Sequence, residues 1–235
     1  MVYLTGDTHG QFDRIFSFCK RLNASLKDTM VILGDVGFNY HLNFLDDMRK
    51  EAANKQAITW FCLKGNHEKY AGALPNYKEV KAFGGSVYLE PEYPNILFAK
   101  DGEVYTFKVD GLENKILVIG GAYSVDKYYR LKMGLSWFED EQPSGTVKRI
   151  VEEKIKKYDG TFDYIFSHTC PLRFEPREWF LKGLDQSKVD KSTEVWLDKI
   201  YDQVEVKRWY CGHYHGEKLI ENVRFMYNGY VTLGD

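Results

Sequence analysis

Five times along the chain an apolar, strand-like run stops at a small cluster of acids, amides or imidazoles. The stretches are "VYLTGDTHG" (2–10), "VILGD" (31–35), "WFCLKGNH" (60–67), "YIFSH" (164–168) and "WYCGHYH" (209–215). Short unbroken runs of β-branched and aromatic residues suit strands buried on both faces. In open α/β sheets, ligands gather outside the carboxyl ends of such strands. Five polar clusters at five strand ends therefore constrain the chain to a layered α/β fold in which those ends meet in one crevice. Of the six histidines, all but His41 belong to these clusters, a preference that scattered surface histidines would not show.

The segments between the clusters read as helices and hairpins. In 12–22, Phe12, Ile15, Phe16, Cys19 and Leu22 recur at helical spacing, and 44–54 reads as a second helix. Strands alternating with helices imply parallel βαβ units. From 84 to 120, Gly84-Gly85, Asp101-Gly102 and Asp110-Gly111 separate short β-type runs, which predicts antiparallel hairpins and a second sheet. Segment 123–143 is aromatic and charged without a clean period, so a long loop, often functional in a compact domain, is expected there. Helices near 144–158 and 192–203 and a closing hairpin complete the pattern. Without an internal repeat, low-complexity tract or linker, the expectation is a single domain over 1–235.

Composition excludes several classes. With 44% hydrophobic and 28% charged residues the chain has the balance of a soluble globular protein, and no run approaches the ~18 apolar residues of a membrane helix. The amino terminus lacks the basic start and apolar centre of a secretory signal, so a cytoplasmic location is expected. Cys19, Cys62, Cys170 and Cys211 lie far apart with no CxxC pair, which predicts free thiols rather than a disulfide framework or a zinc ribbon. A net charge of −2 provides no global attraction for nucleic acid or anionic membrane. No required protein partner is evident.

The clusters offer two carboxylates, one amide and several imidazoles. This oxygen and nitrogen donor set suits Mn, Fe, Zn, Ni or Co and lacks the thiolates of a structural zinc site. It is too rich for one ion. Two ions roughly 3.5–4 Å apart need a shared anionic ligand, a role open to the carboxylate of Asp35, and water shared by two cations ionises near neutral pH.

Taken in order, "GDTHG" (6–10), "GDV" (34–36), "GNHE" (65–68), "SH" (167–168) and "GHYH" (212–215) match the signature DxH, GD, GNH[DE], H, GHxH. The chain thus resembles the calcineurin-like metallophosphoesterase superfamily. The resemblance implies a four-layer αββα sandwich of two mixed β-sheets flanked by helices, with a binuclear site at its rim. By position, one ion would be held by Asp7, His9, Asp35 and His215 and the other by Asp35, Asn66, His168 and His213. Manganese is the first expectation, with Fe, Zn, Ni or Co as further choices. His67 would face the substrate. The implied chemistry is in-line attack of a metal-bridging hydroxide on a phosphomonoester or phosphodiester, with His67 protonating or stabilising the leaving oxygen.

The second motif departs from two branches of the superfamily. Protein phosphatases extend it as GDxxDRG, where this chain has Phe38 and Asn39 in place of the Asp and Arg, leaving His67 without its usual orienting partner. Purple acid phosphatases place a Tyr where Phe38 stands. Beyond the motifs, Arg130 and Arg173 are candidate phosphate contacts, as are Lys132 and Arg177; for any one of them a solvated surface cation is the simpler reading. Tyr128, Tyr129 and Trp137 suit either base stacking or packing on their own segment. Glu68 reads as a cap or a support for a ligand, His41 as a loop histidine, and Cys170 and Cys211 as small buried hydrophobes. The expected substrate is a small phosphorylated molecule or nucleotide. A nuclease acting on DNA or RNA is the alternative, and a non-catalytic scaffold of the same fold a more distant one.

Overall fold

The computed structural model describes residues 1–234. The first βαβ units are β1 (Val2–Thr5), α1 (Asp13–Leu22), β2 (Thr29–Ile32), α2 (Phe44–Asn54) and β3 (Thr59–Cys62). Short strands β4 (Lys78–Ala82), β5 (Gly85–Leu89), β6 (Ile96–Ala99), β7 (Val104–Val109) and β8 (Leu112–Ile119) follow. Next come α3 (Lys127–Met133), α4 (Gly145–Lys157), β9 (Tyr164–Ser167), α5 (Ser192–Tyr201) and β10 (Arg208–Cys211). The chain closes through β11 (Lys218–Ile220), β12 (Val223–Phe225) and β13 (Val231–Thr232).

The helices carry ordinary boundary chemistry. α1 buries Ile15, Phe18 and Cys19, has Asp13 in its first turn and Lys20 and Arg21 in its last, and stops at Asn23 in the left-handed region (φ 50°). α2 is capped by Asn43, whose side chain accepts from the Leu45 N–H, and α4 by Ser144, which accepts from the Val147 N–H.

One sheet runs β13-β1-β2-β3-β6-β5-β4 and the other β11-β12-β10-β9-β8-β7. The strands β1, β2, β3 and β6 are mutually parallel, as are β8, β9, β10 and β12. Alternate residues of these strands enter different cores. Val31, Phe61, Tyr164, Phe166 and Tyr210 pack between the sheets with Tyr105, Phe107, Ile116 and Val118. Met30, Ile32, Trp60 and Cys62 face the other way, onto Ile15, Phe18 and Cys19 of α1 and Ala53 of α2. Ile165, Trp209 and Cys211 turn out onto Val151 and Ile155 of α4 and Trp196, Leu197 and Ile200 of α5. The result is helices, sheet, sheet, helices: the αββα sandwich, with strands covered on both faces as their unbroken apolar runs require.

Two expectations need correction. The 84–120 hairpins do not all belong to a second sheet: β5 pairs with β4 and β6, and β6 joins β3, extending the first sheet, so that only β7 and β8 start the second. Segment 123–143 is not wholly loop, because it holds the two-turn helix α3. The seven residues of α3 bury no side chain, so no apolar stripe betrays it in the sequence. No helix among the described residues is long and apolar enough to cross a membrane.

Candidate metal centre

Strand register brings the five polar clusters level. Thr5 pairs with Ile32 and Ile32 with Cys62 in one sheet, and Ser167 with Cys211 in the other, so each of these strands ends beside its neighbour. The loops that follow are stitched together by backbone and carboxylate hydrogen bonds. The N–H groups of Thr8 and His9 donate to the Asp35 carbonyl at 3.2 and 2.7 Å, and Gly10 N–H donates to the Val36 carbonyl at 2.8 Å. Asp35 Oδ1 accepts from His67 N–H at 2.7 Å, and Asp7 Oδ1 from His213 N–H at 2.9 Å. Arg14 clamps the first loop from outside, donating through Nη2 to the carbonyls of Gly6, Asp7 and Tyr227.

This closeness strains the backbone. His9, Asp35, His213 and His215 all have positive φ, between 47° and 68°, a region costing non-glycine residues about 1–3 kcal/mol and recurrent at functional sites. Gly65 and Gly34 are required by contact: a Cβ on Gly65 would run into Asp35 Oδ1, and one on Gly34 into the His168 ring.

Seven side chains converge here. Suitably placed donor atoms of Asp7, His9 and His215 lie within 4.8 Å of one another, and so do those of Asp7, Asp35 and His168. His215 Nε2 stands 3.2 Å and His9 Nε2 3.8 Å from Asp7 Oδ2, an oxygen that is buried and makes no hydrogen bond. The two imidazoles turn their Nε2 atoms toward each other, 2.9 Å apart. Asp35 faces both sides: its Oδ2 is 4.0 Å from His9 Nδ1, and its Oδ1 is 3.7 Å from His168 Nε2. Asn66 Oδ1 lies 2.8 Å from His168 Nε2 and 3.1 Å from His213 Nδ1, while its amide nitrogen donates to Ser124 Oγ at 2.9 Å.

The donor set fits cations on physical grounds. His168 Nδ1 is 2.7 Å from the Leu33 carbonyl, which only accepts, so Nδ1 carries a proton and Nε2 is the ring nitrogen left to face a cation. With that proton on Nδ1, a ring bearing no second proton turns its Nε2 lone pair toward the Asn66 oxygen, a facing pair of electron-rich atoms that a cation relieves. The unsatisfied Asp7 Oδ2 makes the same demand, since a buried oxygen without a partner is costly.

Electrostatics is shared among these groups. Burial opposes ionisation of Asp7, yet its contact with His215 and the neighbouring histidines hold its carboxyl below the usual range; burial likewise opposes Asp35, which His168 and His67 hold below its range. Burial pushes His213 down to about 3, so its ring is neutral. Contact with Asp7 raises His215. Glu68 is pushed up to about 8, first by burial and then by Asp35, and its Oε1 accepts from the N–H groups of Gly65 and Val36. Glu68 therefore ties two motif loops together from beneath.

His67 and its surroundings lie on one flank. Its Nε2 is 3.9 Å from Asp35 Oδ2 and 3.4 Å from Arg130 Nη2. Arg130 is held by Asp126, Nε to Oδ2 at 2.8 Å, and donates through Nη1 to the Tyr40 hydroxyl at 3.1 Å. Of the expected phosphate contacts, Arg130 is brought beside the cluster. Arg173 is not: its guanidinium is taken by Asp198 and Asp202, 2.8 and 2.7 Å away. Phe38 and Asn39, which stand where protein phosphatases have Asp and Arg, serve packing. Phe38 sits against Phe12 and Trp60, and buried Asn39 accepts from the Tyr77 hydroxyl at 2.9 Å. Trp137 packs on its own segment, donating to Glu141 and carrying Lys127 4.0 Å above its ring. Cys170 and Cys211 are buried free thiols, and the His41 ring stacks edge-on against Tyr40.

Ser124, Asp126, Tyr40 and Arg14 escaped the sequence reading. Asp126 and Arg130 stand four apart, the spacing of a helical ion pair, but that signal is visible only once 127–133 is known to be helix.

Comparisons with known proteins agree with this architecture. The crystal structure of TT1561 of Thermus thermophilus superposes with a TM-score of 0.54 at 11% identity, over 96% of this chain and 87% of that one. A second solved structure gives a TM-score of 0.51 at 14% identity, over 96% and 88%. At such identities these likenesses concern the fold alone. No curated protein matches the sequence. The sequence pattern of the calcineurin-like phosphoesterases matches residues 1–217, and the chain belongs to that family.

Proposed function

We propose that the protein is a two-metal phosphoesterase that hydrolyses a phosphomonoester or phosphodiester, with small-molecule and nucleotide esters as substrates. Asp7, His9, Asp35 and His215 would hold one ion and Asp35, Asn66, His168 and His213 the other, with manganese the first expectation. When bound, such ions would lower the pKa of coordinated water toward ~7 and neutralise charge on the phosphoryl oxygens. The observation that carries this reading is the mutual arrangement of Asp7 Oδ2, His9 and His215 on one side of Asp35 and of Asn66, His168 and His213 on the other.

The chain's own residues supply the rest. Asp35 orients the cluster through its two oxygens while fixing the His67 backbone. His67 Nε2, with Arg130 beside it, is the group to hand a proton to the departing oxygen or to stabilise it, and Arg130 to bind a phosphoryl oxygen. The retained His67 disfavours a non-catalytic scaffold. A nuclease would need a basic track leading to the metals, and the cavity beside the cluster has one lysine in its wall, Lys191, already paired with Glu175. Four buried free thiols support a reducing, cytoplasmic setting, and a core shared by both sheets supports one domain.

The test is a panel of chromogenic monoesters, diesters, nucleotides and single-stranded DNA, assayed with Mn, Ni, Zn, Fe and Mg in turn. Turnover of a small ester that depends on added metal is expected. A protein that takes up two equivalents of metal yet turns over no member of the panel would defeat the proposal.

A further inference from the structure

A cavity of about 570 Å³ opens beside the cluster, with Asp35, Asn66, His67, His213 and His215 in its wall. The same cavity is lined by Tyr123, Val125, Trp179, Phe180, Leu181 and Leu184. The volume falls in the range of small-molecule sites, roughly 300–1,000 Å³. Two segments wall the chamber, the one after β8 and the one between β9 and α5, and Gln142 joins them. Its amide donates to Asp190 Oδ2 at 3.0 Å, and its oxygen accepts from Thr193 Oγ1 at 2.6 Å. The aromatic wall is backed by further rings: Trp179 stands edge-on to Phe225 with centroids 5.8 Å apart and packs on Gly216, and Phe180 stacks on Tyr214 at 6.4 Å.

The charges in this wall are lopsided. Among the described residues lining it, Lys191 is the one lysine or arginine. Its Nζ is 2.7 Å from Glu175 Oε2 and 4.9 Å above the Phe180 ring. The remaining ionisable side chains of the wall away from the cluster are tyrosines and the carboxyls of Asp126, Asp190 and Glu194. A second phosphate or a carboxylate entering here would find no free cation and would meet acids, and an unpaired anion out of water is costly. A flat apolar ring would meet the aromatic side chains and leucines of the lining.

We infer that this chamber receives the alcohol released from the phosphate ester and selects a neutral alcohol bearing a flat, apolar ring over one carrying a second anionic group. The inference rests on the phosphoesterase reading for the reaction, in which the bond from phosphorus to the alcohol oxygen breaks, the oxygen of water joins phosphorus, and a proton from that water ends on the alcohol. His67, the proposed proton donor to that oxygen, is part of the chamber wall.

Binding of non-hydrolysable phosphonates to the manganese-loaded protein, measured by calorimetry, tests the chamber without turnover. The probes are propylphosphonate, 3-phenylpropylphosphonate and the same molecule with a carboxylate on the ring. The phenyl compound is expected to bind at least about tenfold tighter than the propyl compound, the scale on which apolar pockets discriminate, and the ring carboxylate to cancel that gain. Leu181→Asp and Leu184→Asp should each erase the phenyl advantage while leaving the propyl Kd within about twofold; Leu181 is 63% exposed, so its substitution leaves the core intact. Equal affinity for the three probes, no measurable binding, or a phenyl advantage that survives both variants overturns the inference. Turnover of the corresponding phosphate esters is scored separately. Hydrolysis without ring preference sinks the chamber's role and leaves the phosphoesterase standing, whereas ring-selective binding with no ester hydrolysed does the reverse.

Discussion

His168 Nε2 stands 2.8 Å from Asn66 Oδ1, although one residue follows β9 in the second sheet and the other follows β3 in the first. The inter-sheet core sets that distance, and the pair reports on whether the two halves of the sandwich meet around cations.

Asn66→Ala and His168→Ala are therefore expected to lose bound metal while keeping the fold. Manganese at about 100 times its Kd should raise the melting temperature of the parent protein by about 5–10 °C. Either variant should show a flattened response, read by calorimetry alongside elemental analysis. An unchanged metal content would remove these residues from the ligand set.

His67→Ala separates chemistry from metal binding. Its side chain sits 3.9 Å from Asp35 and is not in either of the tight donor groups, so metal content should stay at the parent value. Loss of a general acid predicts a fall in kcat of roughly 10²- to 10⁴-fold. Steady-state kinetics at saturating manganese checks it, and activity within about threefold of the parent would refute the role.

The two arginines should part company. Arg130 lies 3.4 Å from His67, and Arg130→Ala is expected to lower kcat/KM roughly 10²-fold, the scale of a lost donor to developing charge. Arg173 is exposed and held by Asp198 and Asp202, so Arg173→Ala should leave kcat/KM within about twofold. Equal effects of both substitutions would place the phosphate contact elsewhere.

Glu68 makes the stability of the metal-free protein depend on pH. Burial raises its carboxyl from 4.5 to about 8, so the folded state holds a proton that the unfolded state releases. Its contribution is complete below about pH 4.5 and is lost as pH rises toward 8, by at most ~5 kcal/mol. Glu68→Gln keeps the acceptor for Gly65 and Val36 and cannot ionise. Urea denaturation between about pH 5 and 9 should show a shallower decline for the variant than for the parent; parallel curves would mean that Glu68 is ionised throughout.

Local pattern in the sequence determined the five polar clusters, the strands that precede them and helices α1, α2, α4 and α5, each written in neighbouring residues as a helical period of about 3.6, a short run apolar on both faces or a turn signal. The αββα sandwich followed from the resemblance that the ordered motifs carry. Tertiary structure alone decided which sheet β4 to β6 join, because hairpin signals specify a neighbour and not a layer. It alone brought Asp126 and Arg130 beside His67, sent Arg173 to Asp198 and Asp202, and built a chamber from segments distant in the chain. A side chain's partner across the fold depends on how whole layers pack, and that packing is fixed by the sum of many buried contacts; no single stretch of residues encodes it.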